Sequence, residues 1–81
     1  PSTKISAEEL GEGIGILELL VRTGLAPSKG EGRRLIQQGG IYIDGERVDN
    51  TELMVTPEFF KNGQLLIRKG KKAYNRVVLG K

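Results

Sequence analysis

The chain contains 81 residues, with 13 Lys and Arg, 10 Asp and Glu, 12 Gly, and no Cys, His or Trp. A chain of this length forms one domain with a small core. The lack of Cys and His excludes disulfides, zinc sites built from these residues, and Cys or His nucleophiles. No apolar run approaches the roughly 20 residues of a membrane-spanning helix, and no secretory signal is visible. Because the chain begins with Pro rather than Met, we expect it to be a fragment of a longer protein.

The formal net charge of +3 hides an uneven distribution of charge along the chain. The first 21 residues contain four Glu and one Lys, whereas residues 64–81 contain six basic residues and no acidic residue. Clustered cations attract polyanions because binding releases condensed counterions. The C-terminal segment is therefore a candidate polyanion-binding segment, although a solvated surface that keeps the domain soluble would show the same charges.

Residues 1–13 combine Pro, Ser, Thr, Glu and Gly with few apolar residues. This composition predicts a flexible lead-in or linker that includes no more than one helical turn, at residues 7–10. The glycines at 11–15 do not form a phosphate-binding loop, since no predicted strand precedes them and no Gly-Lys-Ser/Thr follows. We therefore assign the folded domain to residues 14–81.

Two helices are predicted next. Apolar residues at helical spacing predict the first helix over residues 14–22, and Thr23-Gly24 ends it. Ser28 is the predicted N-cap of the second helix, and Glu31, three residues later, completes a capping box. The second helix is expected to continue to about residue 38, before Gly39-Gly40.

The second helix is amphipathic. On a helical wheel Lys29, Arg33 and Gln37 share one stripe, with Arg34 beside them. Gly32 lies on the opposite, apolar side and costs about 1 kcal/mol of helix propensity relative to Ala. Such a glycine indicates a position where the first helix approaches closely.

Strands are predicted after the helices. Asp44-Gly45 between two alternating segments predicts a hairpin with a type I′ turn. Thr56-Pro57 predicts the start of a short helix. Residues 65–68 and 74–79 predict two further strands joined by a cationic turn at 69–72. The order indicates an α+β fold, with two N-terminal helices packed on a small, mostly antiparallel sheet.

Residues 16–48 match a known module in order, spacing and residue type. The pattern begins with a helix, then Gly-Leu, and then a second, basic helix that starts with Ser-Lys and ends in Gly. A strand, a Gly turn and a Val follow. The residues that carry the match are Ser28-Lys29, Arg33-Arg34-Leu35-Ile36, Gly39 and Ile41-Tyr42-Ile43-Asp44-Gly45. This segment resembles the αL RNA-binding module first named from ribosomal small-subunit protein S-four. It departs from that pattern at Gly30 and Gly32, where a polar residue and Ala are expected.

The C-terminal segment narrows the resemblance. The residues that carry it are Leu65-Leu66-Ile67-Arg68-Lys69-Gly70-Lys71-Lys72-Ala73-Tyr74, followed by Arg76-Val77-Val78. This segment resembles the end of bacterial-type tyrosyl-tRNA synthetases. Together the two stretches cover most of residues 13–79. The resemblance implies an S-four-like RNA-binding domain with a C-terminal basic hairpin. Such a domain holds the anticodon stem and long variable arm of tRNA(Tyr), while a separate Rossmann-type domain activates tyrosine.

Two groups of residues are candidate RNA contacts. The helix contributes Lys29, Arg33, Arg34 and Gln37, and the C-terminal hairpin contributes Arg68, Lys69, Lys71, Lys72, Tyr74 and Arg76. Arg binds phosphate through its forked guanidinium and Lys as a point charge. Stacking on a base is one role for Tyr74 and Tyr42, and packing within the sheet is the other. Each group also has an alternative interpretation. The charges of the helix would then form an ordinary solvated face, and those of the hairpin would keep the domain soluble and prevent an edge strand from pairing with another chain.

The pattern favours backbone and shape recognition of structured RNA over reading of individual bases. The carboxylates share no evident pocket, so we expect no catalytic residue, metal ligand or cofactor in this chain. The resemblance implies a cytoplasmic parent enzyme that uses ATP, Mg and tyrosine, forms a homodimer through its catalytic domain, and does not bind membranes. The alternatives are the same module in a ribosomal protein, pseudouridine synthase or ribosome-associated heat-shock factor, and a protein-interaction domain with an incidental basic face.

Overall fold

A computed structural model describes residues 2–71 and 73–80. The elements, in chain order, are β1 (Ser2–Ser6), α1 (Ala7–Leu10), β2 (Ile14–Gly15), α2 (Ile16–Arg22), α3 (Lys29–Gln37), β3 (Ile41–Ile43), β4 (Glu46–Arg47), β5 (Met54–Val55), a short 3-10 helix (Pro57–Phe59), β6 (Gln64–Lys69) and β7 (Ala73–Gly80). Five strands form one sheet in the order β1-β7-β6-β3-β4, and β2 pairs with β5. Only the β1–β7 pair is parallel among the described strands. The predicted α+β fold is confirmed, and α1 is the single helical turn expected at residues 7–10.

Residues 2–13 correct the prediction of a flexible lead-in. Ser2–Ser6 pairs along its whole length with residues 76–80 of β7. Ile5 is 0% exposed, and Leu10 is also buried in the common core. The Ser6 hydroxyl accepts a hydrogen bond from the Glu9 amide, and the Glu9 carboxylate accepts one from the Ser6 amide, which caps α1. The segment is ordered because these two apolar side chains and this capping box tie it to the sheet.

The helix predicted over residues 14–22 begins two residues later than expected. Ile14–Gly15 forms a short antiparallel pair with Met54–Val55 before the chain turns into α2 at Ile16. Ile14 is buried. The apolar residue at position 14, which fitted the helical spacing, is therefore apolar because it is buried in a small strand pair.

The second predicted helix is confirmed as α3, and its packing explains Gly32. The Ser28 hydroxyl accepts a hydrogen bond from the Glu31 amide at 3.3 Å, as predicted for an N-cap. The Glu31 carboxylate does not complete the capping box but lies 3.6 Å from Arg34. A Cβ added at Gly32 would lie 3.1 Å from Cδ1 of Leu20 in α2. The close approach of the two helices that the glycine predicts is therefore present.

The two sides of the five-stranded sheet differ. Alternate residues of β6 and β7 face inward, and Leu65, Ile67 and Val77 pack with the apolar sides of α2 and α3. The residues between them face outward, and Leu66 and Tyr74 remain exposed there. The sheet therefore has one side in the core and one open side. None of the described helices has the length and apolar character needed to cross a membrane.

Candidate nucleic-acid interface

The exposed side of α3 carries a series of cationic and amide side chains. Gly32 and Ile36 direct the opposite side of the helix into the core. The four predicted residues of α3 are all exposed, and we call them the helix surface: Lys29, Arg33, Arg34 and Gln37. Residues four positions apart lie on the same side of a helix, about 6 Å apart along its axis. The structure therefore brings these predicted residues together on one surface.

The helix surface is chemically suited to a phosphate backbone. Arg34 Nη1 lies 3.6 Å from a carboxylate oxygen of Glu31, and both side chains are exposed. An exposed ion pair of this kind contributes about 0–1 kcal/mol, so a phosphate can replace Glu31 at little cost. Lys29 and Arg33 form no ion pair within the described part of the chain. The Gln37 amide, which has both donors and an acceptor, can bind a ribose hydroxyl or a base edge.

The turn after β6 is fixed against both ends of α3. Lys69 Nζ donates a hydrogen bond of 3.4 Å to the Leu25 carbonyl, in the connection that precedes the helix. The Gly70 amide donates one of 2.7 Å to the Gly40 carbonyl, just after the helix. Lys69, predicted as an RNA contact, therefore also holds α3 in position. Lys71 is exposed at the same turn, and Lys72 lies outside the described residues.

Three of the predicted RNA contacts, Arg68, Tyr74 and Arg76, lie on the open side of the sheet. Arg47 of β4, Tyr42 of β3, Arg68 of β6 and Tyr74 of β7 are successive cross-strand partners. Directly paired residues project from the same side of a sheet, so these four side chains form one row. Arg76 follows two residues after Tyr74 and also faces outward. We call these five residues the sheet surface.

Arg68 is held in place by its neighbour in the row. Its guanidinium carbon lies 4.7 Å from the centroid of the Tyr42 ring, which is the geometry of a cation–π contact. The Nε atom of Arg68 is buried and has no hydrogen-bond partner. Tyr42 is half-buried, which agrees with the packing role weighed from the sequence, whereas Tyr74 is exposed.

The helix surface and the sheet surface meet at one end of α3. A Cβ at Gly39 would lie 3.5 Å from Cδ of Arg47, so the stem of this arginine runs along the residues that follow the helix. The hydrogen bond between Gly70 and Gly40 brings the basic turn to the same place. The predicted contacts therefore divide between two sides of the domain that are joined at this end.

Sequence reasoning missed Arg47 and Asn75. The two-residue turn at Asp44-Gly45 was sufficient to place Arg47 opposite Tyr42, so the signal for Arg47 was present. Asn75 faces inward, and its side-chain amide donates a hydrogen bond of 3.1 Å to the Thr23 carbonyl. Strand alternation predicts the inward direction of Asn75, but its partner follows only from the packing of α2 on the sheet.

Carboxylates do not form a metal site in the structure described. Within residues 2–71 and 73–80, no group of three or more Asp and Glu side chains is arranged to hold a metal ion. The hydrogen bonds of Glu9 with Arg22 and with the Ser6 amide lower the pKa of its carboxyl group. This residue belongs to the contact between α1 and α2 and lies outside both surfaces.

Known proteins resemble the chain over almost its whole length. It is 53% identical over 79 residues to a tyrosine–tRNA ligase of Acetivibrio thermocellus, a match that covers 98% of this chain and 19% of the relative. It is 49% identical over 79 residues to a tyrosine–tRNA ligase of Clostridium tetani, with the same shares covered. The chain therefore spans about a fifth of the length of these relatives.

Structure and family comparisons agree with these matches. A solution structure of a tyrosyl-tRNA synthetase C-terminal domain superposes with a TM-score of 0.75 at 36% identity, covering 99% of this chain and 78% of that one. A family model described as the tyrosine–tRNA ligase SYY-like C-terminal domain matches residues 1–77. The chain therefore belongs to the family of tyrosine–tRNA ligase C-terminal domains.

Proposed function

We propose that this chain holds tRNA(Tyr) for a tyrosine–tRNA ligase, chiefly through the sugar–phosphate backbone and the shape of the folded RNA. The observation that carries the proposal is the helix surface, where Lys29, Arg33 and Gln37 lie on one exposed side of α3. Family membership supports the choice of RNA, since the relatives are named tyrosine–tRNA ligases. The proposed contact regions are the anticodon stem and the long variable arm.

The catalytic chemistry lies, on this proposal, outside the chain. The chain corresponds to 19% of the length of its relative from Acetivibrio thermocellus, which leaves room for a separate catalytic domain. That domain would bind ATP, Mg and tyrosine and would form the homodimer, and the parent enzyme would act in the cytoplasm without a membrane partner. The role of this chain is to bind RNA and to orient it.

The packing of α3 explains why the helix surface is suited to a rigid ligand such as an RNA stem. The helix is fixed before its start by the Lys69 contact with Leu25 and after its end by the hydrogen bond between Gly70 and Gly40. Its cations are therefore presented by a helix with fixed ends and not by a mobile loop. A pre-organised surface loses less conformational entropy on binding.

The test compares two tRNAs and three chains by fluorescence anisotropy. The wild-type chain should bind tRNA(Tyr), which has a long variable arm, more tightly than a tRNA with a short one. Arg33→Ala and Arg34→Ala should each weaken binding by about ten- to a hundredfold, since a hydrogen bond to a charged group contributes roughly 1.5–3 kcal/mol. Melting temperatures are measured for each variant so that lost folding is distinguished from lost binding.

Lys61→Ala is the matched control for the helix surface, because it removes an exposed cation that lies outside α3, near Arg76 of the sheet surface. Lys61 lines a cavity with the carboxylates Asp44, Glu46 and Glu58, where an RNA phosphate would be repelled. Its removal should weaken the affinity for tRNA(Tyr) much less than Arg33→Ala does. If Lys61→Ala and Arg33→Ala weakened binding equally, or neither did, the helix surface would not be the RNA contact.

A further inference from the structure

The open side of the sheet contains an aromatic side chain that core packing does not explain. Tyr74 is 50% exposed. Its strand, β7, lies between β1 and β6, so this exposure does not come from a position at the edge of the sheet. Tyr74 instead projects from an open side, next to Arg68 in the neighbouring strand.

The charge of this side indicates an anionic ligand. Strand alternation and register place twelve described residues outward: Ser2, Lys4, Ser6, Tyr42, Arg47, Gln64, Leu66, Arg68, Tyr74, Arg76, Val78 and Gly80. Four of these twelve are cations and none is a carboxylate. Asp44, at the β3–β4 turn, accepts a hydrogen bond from the Leu66 amide and lines a cavity with Arg76 and Lys61. One carboxylate therefore lies beside Arg76, together with a further cation.

We propose that the sheet surface is a stacking site for an unpaired base of RNA, with the base on the Tyr74 ring and its flanking phosphates on Arg68 and Arg76. This inference rests on the proposed RNA-binding function and adds a ligand class that the helix surface does not require. Every base has an aromatic face, and stacking on an exposed tyrosine together with cations beside it is the arrangement by which single-stranded nucleic acid is bound.

The geometry of the row matches this ligand. Arg68 is the direct cross-strand partner of Tyr74, about 5 Å away between strands. Arg76 lies two residues along β7, about 7 Å from Tyr74 on the same side. The cation–π contact of Arg68 with Tyr42 holds this guanidinium over the ring of the strand on its other side before any ligand arrives, so Arg68 borders the Tyr74 position from β3 and β6. Arg76 borders the same position along β7, and the two arginines can bind phosphates on either side of one stacked base.

The ligand is a polymer and not a free nucleotide. Arg68 and Arg76 are placed to contact successive phosphates of one chain, whereas a mononucleotide would use one of them at a time. A base inside a double helix has both faces covered by its neighbours, so the base must be unpaired. The helix surface and the sheet surface thus take two different parts of an RNA, a paired backbone and an unpaired nucleotide.

The experiment follows the ring protons of Tyr74 by NMR during titration with a six-nucleotide adenine RNA. The chain has two Tyr, two Phe and no Trp, so its aromatic spectrum is simple to assign. The expected result is an upfield shift of the Tyr74 ring protons on addition of the hexanucleotide and no shift on addition of an abasic backbone of the same length. AMP should bind at least tenfold more weakly than the hexanucleotide. Equal binding of the abasic backbone would overturn the proposal.

Variants give an independent measurement with the same hexanucleotide and with tRNA(Tyr). Tyr74→Leu should weaken binding of the hexanucleotide on the order of tenfold, because one stacked base is lost. Tyr74→Phe, which keeps the ring, should change it by less than about twofold. Val21→Ala, at a residue of α2 that is 38% exposed, is the control for loss of an exposed apolar side chain and should have no effect.

The outcomes separate this proposal from the proposed function. If tRNA(Tyr) binding depends on Arg33 but Tyr74→Leu binds RNA as the wild type does, the stacking site is refuted and the helix surface stands. If Arg33→Ala has no effect, the proposed function fails whatever Tyr74 does. If Tyr74→Leu leaves RNA binding intact but weakens association with another protein domain, the sheet surface is a protein contact and the proposal is overturned.

Discussion

Two glycines of α3 provide a test of how closely the two helices pack. A Cβ at Gly30, which is exposed, would meet only the Ser28 hydroxyl, at 3.9 Å. A Cβ at Gly32 would lie 3.1 Å from Cδ1 of Leu20 and 3.4 Å from Cδ2 of Leu17. Carbon atoms are best separated by about 3.5–4.0 Å, and Leu20 is fully buried. The same substitution, Gly to Ala, should therefore have opposite effects at these two positions.

The magnitudes follow from two competing free energies. Ala is favoured over Gly by about 1 kcal/mol inside a helix, and nothing opposes this gain at Gly30. We expect Gly30→Ala to stabilise the domain by about 0.5–1 kcal/mol. At Gly32 the gain is opposed by overpacking, which typically costs about 1–3 kcal/mol. We therefore expect Gly32→Ala to destabilise the domain by about 1 kcal/mol.

Urea unfolding followed by far-ultraviolet circular dichroism measures both free energies, and 1 kcal/mol corresponds to about 4–8 °C in Tm for a domain of this size. Leu20→Val removes the atom closest to the added methyl group. In that background Gly32→Ala should cost less, with a coupling of at least about 0.5 kcal/mol. Equal stabilisation by Gly30→Ala and Gly32→Ala would refute the close approach of α2 and α3.

Three further predictions concern other parts of the fold. Ile5→Ala should cost about 2–5 kcal/mol in unfolding free energy, because Ile5 is buried in the core; no loss would mean that residues 2–6 are flexible. Asn75→Ala leaves the Thr23 carbonyl without its donor and should cost about 1–3 kcal/mol, whereas an unchanged urea midpoint would exclude that hydrogen bond. The hydrogen bond from Arg22 lowers the pKa of Glu9 below its ordinary value of 4.5, so the contribution of Glu9 is complete above about pH 4.5 and is lost as the pH falls below it. The Tm of Glu9→Gln should therefore lie below that of the wild type at pH 7 and approach it in acid, and a pH-independent difference would argue against this ion pair.

The helix surface could be predicted from the sequence because it depends on local rules. Ser28 caps α3 and helical periodicity alone places Lys29, Arg33 and Gln37 on one side. The Asp44-Gly45 hairpin is equally local, since a two-residue turn fixes its register. In each case the interacting residues are separated by only a few positions, so no knowledge of the tertiary structure was needed.

The sheet surface and the first strand could not be predicted in the same way. The row that joins Tyr42 to Arg68 depends on the pairing of β3 with β6, across a separation of 26 residues that leaves no local signal. The pairing of Ser2–Ser6 with β7 spans almost the whole chain. Residues 2–6 also contain a single large apolar side chain, Ile5, so a strand that is buried on one side resembled a linker.

The most direct test of RNA binding by the helix surface is the salt dependence of the affinity for tRNA(Tyr), measured with the wild-type chain and with Arg33→Ala. The logarithm of the wild-type association constant should fall linearly with the logarithm of salt concentration between about 50 and 200 mM. The slope should be less steep by about one for Arg33→Ala, because one phosphate contact is lost. An affinity that does not change with salt, or equal slopes for the two chains, would contradict the account.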